Sequence, residues 1–166
     1  MKAHASTAHR PLLHAALVVL ALGASACGAP FEGPARLVLG TGFFSFGLLA
    51  EDQTVPIIHG PQGGYHVWAA VQARSLEFSQ VMVTFSATYA ADGRAIETTP
   101  NQVSLAPIDD EHAAAAEGSG WGEALRLFVL LPDPAAVTGQ RVRIHAAISD
   151  GGGREATDEQ VVVPML

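Results

Sequence analysis

The stretch RVRIHAAIS (residues 141–149) decides the fold class, because an apolar residue recurs at every second position from 142 to 148. Val142, Ile144, Ala146 and Ile148 fall on one side of an extended chain, and the residues between them fall on the other. A period of two is typical of a β-strand with one buried and one solvated face. The stretch therefore predicts a strand of an antiparallel sheet.

Two longer stretches repeat this alternation earlier in the chain. They are YHVWAAVQAR (residues 65–74) and QVMVTFSATYA (residues 80–90), and the second leads into the Asp-Gly turn signal of residues 91–94. The residues predicted to face the core are Tyr65, Val67, Ala69, Val71 and Ala73, then Val81, Val83, Phe85, Ala87 and Tyr89.

Seven further short strands are predicted between Gly, Pro and Asp residues. They cover residues 35–39, 44–49, 55–59, 94–98, 102–106, 124–131 and 157–163. Residues 109–117 have a helical tendency without an apolar stripe, so we expect a surface excursion there. Strands at this spacing predict a single all-β domain over residues 36–166, either an antiparallel sandwich or a barrel.

Residues 1–26 have the features of an export signal. Lys2 and Arg10 give a positive start, residues 11–23 form an apolar run, and the small residues 24–26 precede the expected cleavage site. The run is shorter than the roughly 20 apolar residues that span a bilayer. We therefore expect residues 1–26 to be removed, and a retained membrane helix is the alternative.

Cys27 is the only cysteine of the chain and directly follows the expected cleavage site. The stretch GASAC (residues 23–27) resembles the lipobox of bacterial lipoproteins. The resemblance implies that Cys27 carries the lipid that anchors the mature chain, and Gly28 in place of aspartate favours the outer membrane. The sequence ASA before Cys27 also fits an ordinary signal-peptidase site, so a secreted protein without lipid is the alternative. Residues 27–35 then form a short tether.

Residues 131–163 resemble the closing strands of bacterial immunoglobulin-like modules. A turn containing Gly139 is followed by an alternating strand, a Gly-rich turn at residues 150–153 and a last strand. HGPQGGYHV (residues 59–67) is similar to a segment of bacterial envelope lipoproteins. These resemblances imply an antiparallel immunoglobulin-like β-sandwich after the signal segment and tether, on the periplasmic or the surface side of the outer membrane.

The charge of the chain limits its partners. After residue 27 there are seven arginines, no lysine and sixteen acidic residues, a net of about −9. Such a surface repels phosphate backbones, so no nucleic-acid partner is expected. The expected partners are the membrane, through the N-terminal lipid, and another envelope protein.

The stretch HGPQGGYHVW (residues 59–68) holds the candidate binding residues. Pro61 and the glycines around it predict a turn between antiparallel strands at residues 55–59 and 65–74. A ligand would meet the turn or an exposed sheet face beside it. The candidate ligand contacts are Gln62, Tyr65, His66 and Trp68.

A metal site is the alternative interpretation of the same stretch. If His59 and His66 face each other across the turn, their Cβ atoms lie within about 5 Å and can share one ion. A five-residue loop would instead place His59 opposite Tyr65 and send the two histidines to opposite faces. A stable site would also need a third ligand, such as His112 or His145.

The densest ionisable cluster is DDEH (residues 109–112), which lacks the order of a calcium loop. We expect a solvated loop or helix start, with a calcium loop or a catalytic carboxylate pair as alternatives. No catalytic residue and no cofactor is predicted, because Cys27 is committed to the N-terminus and residues 118–122 do not form a nucleophile elbow.

The sequence therefore predicts an exported, lipid-anchored cell-envelope binding or structural module, and favours a non-enzyme over an enzyme. The alternative is a metal-binding domain or metal-dependent enzyme that uses His59 and His66. A hydrolase of another type is the third interpretation.

Overall fold

The computed structural model describes residues 33–61, 63–109, 111–114 and 120–166, and this part of the chain is mostly extended. Its strands are β1 (Arg36–Thr41), β2 (Gly47–Leu48), β3 (Gln53–Pro56), β4 (Ile58–His59), β5 (Tyr65–Arg74), β6 (Val81–Tyr89), β7 (Ala95–Val103), β8 (Ala106–Pro107), β9 (Trp121–Leu130), β10 (Val142–Ser149) and β11 (Glu155–Met165). One short helix, α1 (Pro134–Val137), precedes β10.

These strands form two sheets that pack face to face. Sheet 1 has the order β2-β1-β5-β9-β8, and β4 also pairs with β5; sheet 2 has the order β3-β11-β10-β6-β7. Among the described strand pairs only β3 and β11 run parallel. The order β1-β5-β9-β8 corresponds to the ABED sheet of an immunoglobulin-like sandwich, and β11-β10-β6 corresponds to its GFC sheet. The predicted all-β antiparallel sandwich is confirmed.

The core lies between the two sheets and follows the predicted alternation. In β10 the residues Val142, Ile144, Ala146 and Ile148 are buried, and the residues between them are partly exposed. The inward sets predicted for β5 and β6 also belong to the core or pack against it, and Phe85 is fully buried. Burying each large apolar side chain contributes about 1.5–3 kcal/mol to folding.

The predicted strand at residues 55–59 is wrong as a single element. β3 belongs to sheet 2 and β4 to sheet 1, and the chain crosses between the sheets at Ile57. The Ile57 N–H donates to the Met165 carbonyl at 2.7 Å. Val55 and Ile57 are both buried, so the alternation continues through the crossing and gives no sign of it.

Three other predicted elements differ from the structure. Of residues 44–49, only the two residues of β2 pair with β1, because the preceding residues turn over the sheet. The strands predicted at 94–98 and 102–106 are largely one strand, β7, which tolerates Pro100 because it is the edge of sheet 2. The described residues among 109–117 form turns without a helix.

Helix α1 was missed by the periodicity argument because it is a single turn. Its signal is local: Asp133 accepts a hydrogen bond from the Ala136 N–H at 3.1 Å, and Pro134 occupies the first turn.

Candidate functional site

Strand β5 is covered on both faces, which its alternation does not predict. Its inward set lies in the core, yet His66 is only 9% exposed and Gln72 is fully buried although both face outward. Two loops lie over this outer face of sheet 1: residues 42–46, and the described residues 108–109 and 111–114. The first loop contacts Trp68 and the second contacts Gln72. The outer face of β5 is therefore largely covered by protein rather than solvated.

The first loop completes a row of apolar side chains that we call the aromatic patch. Its members are Phe43, Phe44, His66, Trp68, Phe128 and Leu130. Ring centroids lie 4.7 Å apart for Phe43 and Phe44, 5.0 Å for Phe43 and Trp68, and 4.6 Å for His66 and Trp68. On β9, Phe128 lies opposite Trp68 and Leu130 lies opposite His66. The row is therefore continuous from the loop to the end of β9.

A large part of the aromatic patch is exposed. The exposed fractions are 83% for Phe44, 40% for Phe128, 38% for Leu130 and 36% for Phe43. Single exposed apolar residues are normal on protein surfaces, but contiguous ones usually mark a binding face.

Arg126 holds the loop of the aromatic patch in place. The register of β5 with β9 shifts between Ala69 and Val71, and Arg126 lies in this irregularity with a φ of 59°. Its Nε donates to the Phe43 carbonyl at 3.0 Å, and its guanidinium lies 4.6 Å from the centroid of the Phe43 ring. The bulge thus directs a charged side chain to the loop and helps to fix its position.

His66 is the buried polar member of the aromatic patch. Its Nε2 is buried, and among the residues that the structure describes it has no hydrogen-bond partner. Burial lowers the pKa of the imidazole, because the charged form loses hydration that no partner replaces. The neutral ring therefore serves as an aromatic contact for Trp68.

The second loop forms one wall of a cleft of ≈ 360 Å³, which we call the acidic cleft. Its lining residues are Phe44, Ser45, Phe46, Gln72, Pro107, Ile108, Asp109, His112 and Glu123. Phe44 belongs both to this cleft and to the aromatic patch, so the two features are neighbours on one surface.

Gln72 fixes the second loop against sheet 1. Its amide Nε2 donates to the His112 carbonyl at 2.9 Å and to the Glu123 carboxylate at 3.4 Å. Its Oε1 accepts from the Ala114 N–H at 2.6 Å. A fully buried amide with partners on both of its ends stabilises one position of the loop.

Asp109 and His112 form a close pair at the acidic cleft, with 2.5 Å between Oδ1 and Nδ1. This hydrogen bond is the largest cause of two opposite shifts: it lowers the pKa of Asp109 and raises the pKa of His112. Glu123 also contributes to the raised pKa of His112, which places its charge near the imidazole. Asp109, Glu111 and His112 are exposed, as expected for a solvated loop.

The structure separates the sequence-predicted ligand contacts. His66 and Trp68 lie on the outer face in the aromatic patch, whereas Tyr65 packs against the core on the opposite face. Gln62 lies outside the described residues. Sequence reasoning missed Phe43, Phe44 and Phe128, for which the tandem phenylalanines and the apolar residues at alternate positions near the end of β9 are the available signal.

The register of the predicted hairpin also separates the two histidines of the metal alternative. His59 pairs with Tyr65, their rings 4.9 Å apart, and His66 pairs with Ile58. The two imidazoles therefore lie on opposite faces, which removes the geometry on which a His59–His66 site depended. His112 is paired with Asp109, and His145 lies opposite Glu159 on sheet 2. Within the described ranges no group of three or more His, Cys, Asp or Glu residues could hold a metal ion.

No protein-family model matches the chain, and no curated protein matches it. In the part of the chain that the structure describes, no helix has the length and apolarity to cross a membrane. The expected signal segment and Cys27 lie outside the described residues.

Proposed function

We propose that this protein is an exported, lipid-anchored module of the bacterial cell envelope that binds a partner protein through its aromatic patch. The signal-like residues 1–26, Cys27 and the short tether support the export and anchoring. The observation that carries the binding role is the row of exposed apolar side chains on sheet 1.

The aromatic patch is organised before a partner arrives. Arg126 fixes the position of Phe43, and the β-sheet fixes Trp68, Phe128 and Leu130. Binding therefore orders few side chains, and each rotamer-rich side chain left free would cost about 0.5–1.5 kcal/mol to immobilise. Aromatic and arginine side chains of this kind contribute most of the affinity at protein interfaces.

A binding role is favoured over the metal alternative by the hairpin register. His59 and His66 face away from each other, whereas the aromatic patch is assembled from two strands and a loop that are distant in sequence. The residues brought together in the aromatic patch are mainly apolar, which favours a binding face.

Export and anchoring are tested by fractionating cells that produce the protein and measuring its intact mass. We expect a membrane-bound chain that begins at Cys27 and carries the mass of a lipid, and a Cys27→Ser variant without it. A chain that keeps Met1 and stays in the cytosol would contradict the proposal.

The binding role is tested by size-exclusion chromatography of the protein gently extracted from membranes. The wild-type chain should elute in a larger complex that a Phe44→Ser variant loses. Met82→Ser is the matched control, because Met82 is an exposed apolar residue on sheet 2 with an exposed fraction of 39%. Equal elution of all three chains would count against the aromatic patch.

A further inference from the structure

The acidic cleft beside the aromatic patch indicates which chemistry the partner presents. We propose that the cleft binds the ammonium or guanidinium group of a lysine or arginine side chain whose apolar neighbours pack on the aromatic patch. This inference rests on the proposed function and names the class of its ligand.

The acidic cleft is negatively charged. Asp109 and Glu123 line it, and none of the described residues that line it is a lysine or an arginine. His112 compensates Asp109 when it is protonated, but Glu123 receives only a long hydrogen bond from the neutral amide of Gln72. Within the described part of the chain Glu123 forms no ion pair. The described lining residues therefore carry a net negative charge of at least one, and Arg126 is not among them.

The acidic cleft also has an aromatic wall. Phe44 and Phe46 both line it, and the face of an aromatic ring attracts a cation within about 6 Å. The chain already uses this attraction, because the Arg126 guanidinium lies 5.8 Å from the centroid of Phe44 and 4.6 Å from that of Phe43. A carboxylate beside an aromatic ring favours an organic cation over either an anion or a neutral group.

The acidic cleft has the size and shape to hold one long side chain. A volume of ≈ 360 Å³ lies in the range of about 300–1,000 Å³ that is usual for small-molecule sites, so a single long side chain fits. The buried Gln72 holds the loop that forms the wall, so the cleft exists before binding. A bare metal ion is disfavoured, since the described residues offer no set of three ligands.

The acidic cleft is continuous with the aromatic patch. Phe44 is shared by the acidic cleft and the aromatic patch. A segment whose basic side chain enters the cleft therefore places its neighbouring residues over Phe43 and Phe128. Apolar residues next to the basic one bury the exposed rings, and this combination distinguishes the expected ligand from a free amine.

The test uses three capped peptides and the exported protein in its mature form. The peptides are acetyl-Leu-Lys-Phe-Leu-amide, the same peptide with norleucine in place of lysine, and the same peptide with glutamate there. Binding is measured by isothermal titration calorimetry at low salt. We expect the lysine peptide to bind at least about fivefold more tightly than the norleucine peptide, and the glutamate peptide to bind most weakly, because only the first pairs with the carboxylates.

Three single substitutions show which carboxylate produces the preference for the lysine peptide. Glu123→Gln should abolish the preference for lysine, and Asp109→Asn should reduce it without touching the core. Glu155→Gln, an exposed acidic residue of β11, should leave it unchanged. Melting temperatures of all three variants verify that they fold.

The inference is overturned by equal binding of the lysine and norleucine peptides, or by no binding of any peptide up to millimolar concentration. A preference that survives in Glu123→Gln overturns it as well. None of these results decides the proposed function. That function is tested separately, by whether the Phe44→Ser variant loses the larger complex.

Discussion

Trp68 and Phe128 lie directly opposite each other on β5 and β9, and both face outward from the sandwich. Phe43, from a loop that begins after β1, packs edge-on against Trp68. This contact joins three separate parts of the chain on one face of sheet 1, and the binding role proposed above depends on it.

Gln72 should be needed for the position of the loop at residues 111–114. A Gln72→Leu variant leaves the His112 carbonyl and the Ala114 N–H without their partner, which costs about 1–3 kcal/mol of unfolding free energy. Urea unfolding measures the cost, and faster amide exchange at residues 112–114 locates it. Gln102→Leu, at an exposed position of β7, should change neither. Unchanged exchange in the Gln72 variant would refute the role of the amide.

Gly42 should be needed for the loop that carries Phe43. Its φ is 150°, and an added Cβ would lie 1.9 Å from the Ser45 carbonyl oxygen, so Gly42→Ala forces the backbone to move. Acrylamide should then quench Trp68 more strongly, while Trp121 is 1% exposed and stays protected. Gly93→Ala is the control, because its φ is 73° and nothing lies within 4 Å of the added atom. Equal quenching in both variants would show that the loop does not cover Trp68.

His66 should make the protein less stable as the pH falls. Burial lowers the pKa of His66 in the folded state, so the unfolded chain binds more protons once the pH drops below about 6.5. The stability that neutral His66 contributes is therefore fully present above the pKa of this residue in the unfolded chain. It is lost as the pH falls from that value toward the lower pKa of the folded state. Chemical unfolding at pH 7.5 and 5.5 should show a smaller difference for His66→Phe than for the wild type. His59→Phe, on the opposite face, should keep the wild-type difference.

His112 should make the binding of the lysine peptide stronger as the pH rises. Asp109 raises the pKa of His112, so the imidazole stays protonated to a higher pH and offsets part of the negative charge that Asp109, Glu111 and Glu123 provide. Loss of that proton makes the acidic cleft more negative, and affinity should rise as the pH increases through the raised pKa. Calorimetry across this range should show the rise in the wild type. His112→Gln should bind with little pH dependence, and an unchanged profile would exclude His112 as its source.

Much of the fold could be predicted from alternation alone. The buried sets of β6 and β10 were predicted residue by residue, because each strand has one core face and one partly exposed face. The crossing at Ile57 could not be predicted, since the chain changes sheets while keeping the same period.

The candidate site was predicted only in part. His66 and Trp68 were identified from their residue types, but their partners Phe43 and Phe128 come from segments 23 or more residues away that only the tertiary fold brings together. The outer face of β5 looks solvent-facing in sequence, and its burial by two loops is a property of the assembled sandwich. Hairpin register could not be derived either, because a slip of one residue exchanges the faces.

Site-specific photo-crosslinking in intact cells tests the central claim most directly. A benzoylphenylalanine placed at Phe44 should give a crosslinked product of discrete mass, which the added Leu130→Glu substitution abolishes by placing a charge within the aromatic patch. The same group placed at Met82, on the outer face of sheet 2, should give no such product. Crosslinking from position 82 with none from position 44 would contradict the account.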